Sequence, residues 1–203
     1  MKLFKTPRFF RILFPNKTWG FSRSTNAVYL TFDDGPDPLI TPWVLDLLAE
    51  KKLKATFFCV GENVLNYPAI IDRIKREGHA IGNHSMDHKK GTKNSKEDYL
   101  SSVYAAQKVI DSRLFRPPYG RITLNQTYAL KKDFELIMWS WLSYDYDHEV
   151  SIETIIQSAQ KDIKAGDILV FHDNSKSKER LKHLLPPIID DLHEKKLEFK
   201  VIA

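Results

Sequence analysis

The 203-residue chain has one cysteine and eight glycines, and its first 26 positions contain no acidic residue. Each scarcity excludes something. A single thiol, Cys59, rules out an intrachain disulfide. Its place in the apolar run Ala55-Thr56-Phe57-Phe58-Cys59-Val60 makes it a buried structural group rather than a nucleophile. The missing acids account for the net charge of +5. Of 31 Lys/Arg, six fall in residues 1–26, and the other 25 face 26 Asp/Glu. The body of the chain is therefore near neutral, which does not support a phosphate-tracking surface or a nucleic-acid partner.

Also missing are a secretory signal and a membrane-spanning stretch. The arm formed by residues 1–26 is too short and too charged to cross a bilayer, and it lacks a small-residue cleavage site. Cytoplasm and cell envelope both stay open. Phe4, Phe9, Phe10, Ile12, Leu13, Phe14, Trp19 and Phe21 lie among its basic residues, while Pro7 and Pro15 limit any helix to a turn or two. The arm is read as a plug folded under residues 27–203, ahead of the alternative of a weak anchor at a membrane surface.

What the chain does have is 42% hydrophobic and 12% aromatic residues, enough for one folded domain, expected as a monomer. Strand and helix signals alternate without linker or repeat. Strands are predicted at 28–32, 54–60, 80–81, 114–116, 135–141, 167–171 and 197–202. Helices are predicted at 39–52, 63–77, 95–111, 124–132, 151–164 and 178–195. Such alternation implies parallel strands with helical crossovers, either a doubly wound sheet or an α/β barrel. The barrel is preferred: polar residues of unusual type follow five of the strands, and a barrel brings all those C-terminal ends to one face.

Those polar residues form five groups. Asp33-Asp34-Gly35-Pro36 ends the first strand. Alone it also reads as a polar turn, but two adjacent carboxylates repel unless a cation holds one and an arginine the other. His84 and His88 are one helical turn apart in spacing, so that with Asp34 they could offer two nitrogens and an oxygen to a zinc-type ion that keeps an open position for water. Arg116-Pro117-Pro118-Tyr119 fixes a guanidinium for Asp33 and a backbone N–H at Tyr119 for an oxyanion. The stretch from Trp139 to Asp147, with Trp141, Asp145 and Tyr146, offers aromatic faces suited to sugar rings, although aromatic runs in strands are more often core. His172, delivered by the sixth strand, becomes a protonated general acid if paired with a carboxylate such as Asp145.

Taken in order, Thr31-Phe32-Asp33-Asp34-Gly35, His84-Ser85-x-x-His88, Arg116-Pro-Pro-Tyr119, Asp145-Tyr146 and Leu169-x-x-His172 resemble the five motifs of the polysaccharide deacetylases, the NodB-like carbohydrate esterases. The resemblance runs from about Val28 to the C-terminus. It implies a distorted seven-stranded (β/α) barrel and one divalent metal, usually zinc, on Asp34, His84 and His88. It further implies Asp33 as general base, His172 as general acid, and an acetylated glycan as substrate. Tyr119, Trp139, Trp141, Tyr146 and Leu169 are then the residues expected to meet the substrate or the oxyanion. Tyr146 stands where the family usually has tryptophan, and Asp147 rivals Asp145 for the support of His172. N-deacetylation of a chitin-like, peptidoglycan or poly-N-acetylglucosamine chain is the expected reaction. O-deacetylation and a non-catalytic sugar-binding barrel are the alternatives.

Overall fold

The computed structural model describes residues 2–7 and 9–203. Its central strand, β1 (Ala27–Asp33), is buried along its whole length, which is why the sequence there is almost uninterruptedly apolar. It pairs in parallel with β2 (Thr56–Cys59) on one side and β7 (Ile168–His172) on the other, in a register that sets Asp33 opposite His172. Beyond β2 lie β3 (Ala80–Asn83), β4 (Leu114–Phe115) and β5 (Glu135–Leu136); beyond β7 lies β6 (Trp141–Leu142). These seven strands form a curved parallel sheet, and the short β8 (Glu198–Phe199) pairs with the start of β1.

Helices cover the outer face. They are α2 (Thr41–Glu50), α3 (Gly61–Asn66), α4 (Pro68–Arg76), α5 (Lys96–Ile110), α6 (Leu124–Leu130), α7 (Ile152–Asp162) and α8 (Lys178–Glu194). The single helix predicted at 63–77 is two. Pro68 has no N–H and disfavours helical backbone at Tyr67, which adopts φ −131°, ψ 56° and separates α3 from α4. α5 starts where expected, with the Ser95 hydroxyl accepting from the Asp98 N–H at 3.1 Å. No helix among the described residues is long and apolar enough to cross a membrane.

The strand predicted at 135–141 is also two, because its ends pair with different neighbours, β5 with β4 and β6 with β7. The N-terminal arm laces the seam between them. Thr18 bonds to both sides of Ile137 (Thr18 N–H to Leu136 O, 2.8 Å; Met138 N–H to Thr18 O, 2.7 Å), and Thr6 and Phe4 do the same around Trp141 (2.9 Å each, to Ser140 O and from Leu142 N–H). Lys5 ion-pairs with Asp167, and Trp19 is buried.

Strand alternation decides two of the expected substrate contacts. Trp141 is fully buried, 5.7 Å from the Phe171 ring and 6.3 Å from Phe4, and its indole N–H donates to Ser158 Oγ at 3.1 Å. Leu169 is likewise part of the core between sheet and helices. Both expectations are corrected: the residues that reach the cleft are their neighbours Leu142 and Val170, on the opposite side of each strand. Trp141→Ala should therefore act through stability, costing about 3–5 kcal/mol in urea unfolding through the cavity it leaves. A variant of wild-type stability that had lost glycan affinity would contradict this assignment.

Candidate active site

A cleft of about 800 Å³ opens at the C-terminal ends of the strands. On one wall, Arg116 Nη1 donates to Asp33 Oδ1 at 2.6 Å and to Thr31 Oγ1 at 2.7 Å. The guanidinium is wholly buried. Its other N–H groups reach Ile137 O (3.3 Å) and Met138 O (3.1 Å), and its Cζ lies 4.0 Å from the Phe58 ring centroid. Burial draws the Arg116 pKa down, Asp33 opposes it, and arginine's high starting point leaves it charged. Asp33 is thus held by a fixed cation in a dry setting.

Asp34 Oδ1 lies 3.0 Å from His88 Nε2 and 3.5 Å from His84 Nε2. The histidines do not sit on a helical turn, as their spacing suggests. They sit in a loop after β3 whose Ser85 (φ 63°) and His88 (φ 54°) adopt left-handed backbone, and this folds the rings to 5.1 Å from each other. The loop is pinned at the start of α3, where the Gly61 and Glu62 N–H groups donate to Ser85 O and Met86 O at 2.9 Å. His84 Nδ1 bonds to Arg116 O at 2.7 Å, which assigns the proton to Nδ1 and turns the Nε2 lone pair toward Asp34. An imidazole lone pair and a carboxylate oxygen facing one another repel unless a cation joins them. Burial raises the Asp34 pKa, but positive charge at this point, from ring N–H groups donating to the carboxylate when the imidazoles are protonated and from His172, outweighs it and holds the carboxyl well below the usual range; neutral rings leave that role to a cation. The three donor atoms lie within 4.8 Å of one another, a set that fits one small divalent ion.

On the facing wall His172 Nδ1 bonds to Asp145 Oδ1 at 2.7 Å, and Asp145 Oδ2 accepts the His172 backbone N–H at 2.7 Å. Arg180 Nε anchors the Asp145 carbonyl at 3.1 Å. Asp147, the rival, points away and ion-pairs with Lys2. Burial lowers the His172 pKa, yet Asp145, with Asp34 and Asp33 behind it, more than compensates and raises it to about 9. Tyr146 stands edge-on to His172 at 4.9 Å. Tyr119 lies 4.6 Å from the His88 ring, at φ 60°, and Trp139 completes the aromatic rim. Gly120 makes room for that rim, since a Cβ there would come within 2.6 Å of the Trp139 ring.

Three site residues escaped the sequence. Asn174 Nδ2 donates to Asp34 Oδ2 at 2.7 Å and Asn63 Nδ2 to Asp34 O at 2.8 Å, so Oδ1, the oxygen that faces the two histidines, is the one left over. Asp173 is buried beneath the Asp34-Gly35 turn and accepts from Thr41 Oγ1 at 2.6 Å; burial, with Asp34 and Asp33 nearby, pushes its carboxyl well above the usual range. A Cβ on Gly35 would lie 2.2 Å from the Asp173 carboxyl, so only glycine lets this turn pass. Asn63 is 29 positions from Asp34 and carries no motif; Asn174 and Asp173 are signalled only by following His172.

Residues 22–135 match the sequence model of the family described as polysaccharide deacetylase. The chain belongs to that family. It is 32% identical to a peptidoglycan-N-acetylglucosamine deacetylase of Bacillus cereus over 92% of this chain and 91% of the relative. A chitooligosaccharide deacetylase of Bradyrhizobium is 34% identical over 77% of this chain and 75% of its own length. The crystal structure of a peptidoglycan N-acetylglucosamine deacetylase, in complex with 4-naphthalen-1-yl-N-oxidanyl-benzamide, superimposes with a TM-score of 0.88 and 31% identity, covering 97% of this chain and 95% of that one. The distorted seven-stranded barrel of this deacetylase is thus the family's fold.

Proposed function

We propose that this deacetylase hydrolyses the N-acetyl group of an amino sugar within a glycan, using one divalent cation, zinc by its donor set, on Asp34, His84 and His88. One observation carries the reading: two oppositely equipped walls, Asp33 on Arg116 and His172 on Asp145, face the same cleft across the Asp34–histidine cluster. The names of the two relatives, one acting on peptidoglycan N-acetylglucosamine and one on chitooligosaccharides, point to an acetylated amino sugar.

A cation bound there supplies Lewis-acid polarisation of the acetyl carbonyl and a water of lowered pKa. The chain's own residues do the rest. Asp33, kept ionised by Arg116, takes the proton of the attacking water. The Tyr119 backbone N–H, presented by the rigid Pro117-Pro118 segment, stabilises the oxygen on which charge develops. Leu142 and Val170 give the acetyl methyl an apolar wall, and Trp139, Tyr119 and Tyr146 stack on the sugar. His172 protonates the amine as the C–N bond breaks. Acetate and a free amino sugar leave.

A supported imidazolium favours amide over ester cleavage, because an amine leaves only when protonated whereas an alkoxide of lower basicity needs the proton less. Acetate release from peptidoglycan, chitooligosaccharides and O-acetylated xylan, run side by side, is expected to favour the N-acetylated glycans. Turnover of the O-acetylated glycan alone would replace this reading with the esterase one. Metal analysis should give about one divalent ion per chain, with activity lost on chelation and restored by zinc. Full turnover in metal-free protein, or undiminished metal affinity in His84→Ala/His88→Ala, would remove the cation from the mechanism.

A further inference from the structure

The N-terminal arm carries chemistry that deacetylation does not use. Its ends are fixed to the sheet at Phe4, Thr6 and Thr18, but between them the short helix α1 (Phe9–Leu13) turns Phe9, Ile12 and Leu13 outward, 52%, 80% and 62% exposed. Spaced i, i+3, i+4, the three share one face. Phe10 and Phe14 pack the other way, 5.8 and 6.5 Å from the Trp19 ring. These three are among the eleven exposed large apolar side chains of the described residues. So much apolar surface on one short segment marks a face that something covers.

Next to it lies a second cavity, of about 280 Å³, lined by Lys5, Arg11 and Arg23 together with Thr6 and Asp167. Lys5 is engaged by Asp167, and among the described residues neither Arg11 nor Arg23 has a carboxylate partner. The cavity is therefore cationic, with two guanidinium forks suited to a phosphate. Arg11 belongs to α1 itself, on the side turned toward Trp19 and Gly20, with an N–H group 3.5 Å from Trp19 O, so the cavity lies behind the apolar face, at the other side of the same helix.

We infer that the arm is a docking site for an anionic phospholipid surface, with a headgroup phosphate held by Arg11 and Arg23 while Phe9, Ile12 and Leu13 enter the acyl boundary. Charge complementarity selects this occupant: residues 1–26 hold six Lys/Arg and no acid, and although Lys2 and Lys5 are paired with Asp147 and Asp167, Arg11 and Arg23 have no carboxylate partner among the described residues and are left to meet an anionic leaflet. The geometry also leaves the enzyme usable when docked. Gly20 pairs with Asp167 just before β7 begins, at the end of the barrel opposite the cleft. The mouth then faces away from the bilayer.

The test is co-sedimentation of the full chain with vesicles of phosphatidylglycerol and phosphatidylcholine, against phosphatidylcholine alone. Binding at least tenfold tighter to the anionic vesicles is expected, weakening with added salt. Ile12→Ser/Leu13→Ser and Arg11→Gln/Arg23→Gln should each weaken it about tenfold or more, with acetate release from soluble chitooligosaccharides and the thermal midpoint unchanged. Equal binding to both vesicles, or binding indifferent to both variants, would overturn the inference. So would inorganic phosphate binding at Arg11 and Arg23 without any vesicle binding. A wild-type dimer made monomeric by Ile12→Ser/Leu13→Ser, with no vesicle binding, would instead give the face to a second copy of this chain.

Discussion

Asp33→Asn is expected to lose about 10²- to 10⁴-fold in turnover while still binding a divalent ion, because in the proposed mechanism it deletes the proton acceptor and leaves Asp34, His84 and His88 in place. The structure adds a cost that the motif does not show. Asparagine can still accept from Arg116 Nη1, but the wholly buried guanidinium then has no counter-charge. Removing one partner of a buried pair costs up to about 3–5 kcal/mol, so the variant should also unfold at lower urea. Turnover is therefore to be measured per folded, metal-loaded molecule. A loss under about tenfold on that basis would reassign the base. Asp34→Asn should behave oppositely, with metal affinity falling first and activity following it.

The second large effect separates amide from ester. His172→Ala should reduce N-acetyl hydrolysis by about 10²-fold or more and harm an activated acetyl ester far less, because a phenolate leaves without a proton. Equal losses on both would make His172 a binding or packing residue. The pH profile gives an independent reading. The groups facing His172 are Asp145 at Nδ1, Asp33 and Asp34 across the cleft, and the Tyr146 ring, whose own hydroxyl is pushed up to about 12, chiefly by burial. With the His172 pKa raised to about 9, the acid is charged below that pH and lost above it, so kcat/KM should fall on its basic limb near 9. A bound cation offsets the field of Asp34 and draws the limb somewhat lower. Asp145→Asn should move it lower still, since burial then acts unopposed by the nearest anion. The same shift ties stability to pH: the contribution of the His172–Asp145 pair is whole below about 6.5 and disappears as pH rises through about 9. A basic limb unmoved in Asp145→Asn but moved in Asp147→Asn would transfer the supporting role, against the geometry that pairs Asp147 with Lys2.

By itself the sequence determined the strand-helix order, the barrel, and the five groups whose residues gather at one face. These features are local. An apolar run stopped by Gly35-Pro36, a serine cap at Ser95, or an arginine ahead of two prolines needs no knowledge of the rest of the chain. The ordered set also identified the family. Tertiary structure decided whatever depended on which side of a strand a residue faces or which distant segment meets it. Trp141 and Leu169 are one position from Leu142 and Val170, and a period of two sends each neighbour to the opposite side, so one-residue differences separate core from cleft. His84 and His88 meet through left-handed loop residues, not through the helical turn that their spacing suggests. Pairing with different neighbours split the strand at 135–141 and left a seam, and the arm's hydrogen bonds across that seam join segments more than 100 positions apart. Asn63 reaches Asp34 in the same way, from a helix start that no local pattern connects to the first strand. Contacts at such separation come from chain closure, and their residues need no recognisable spacing.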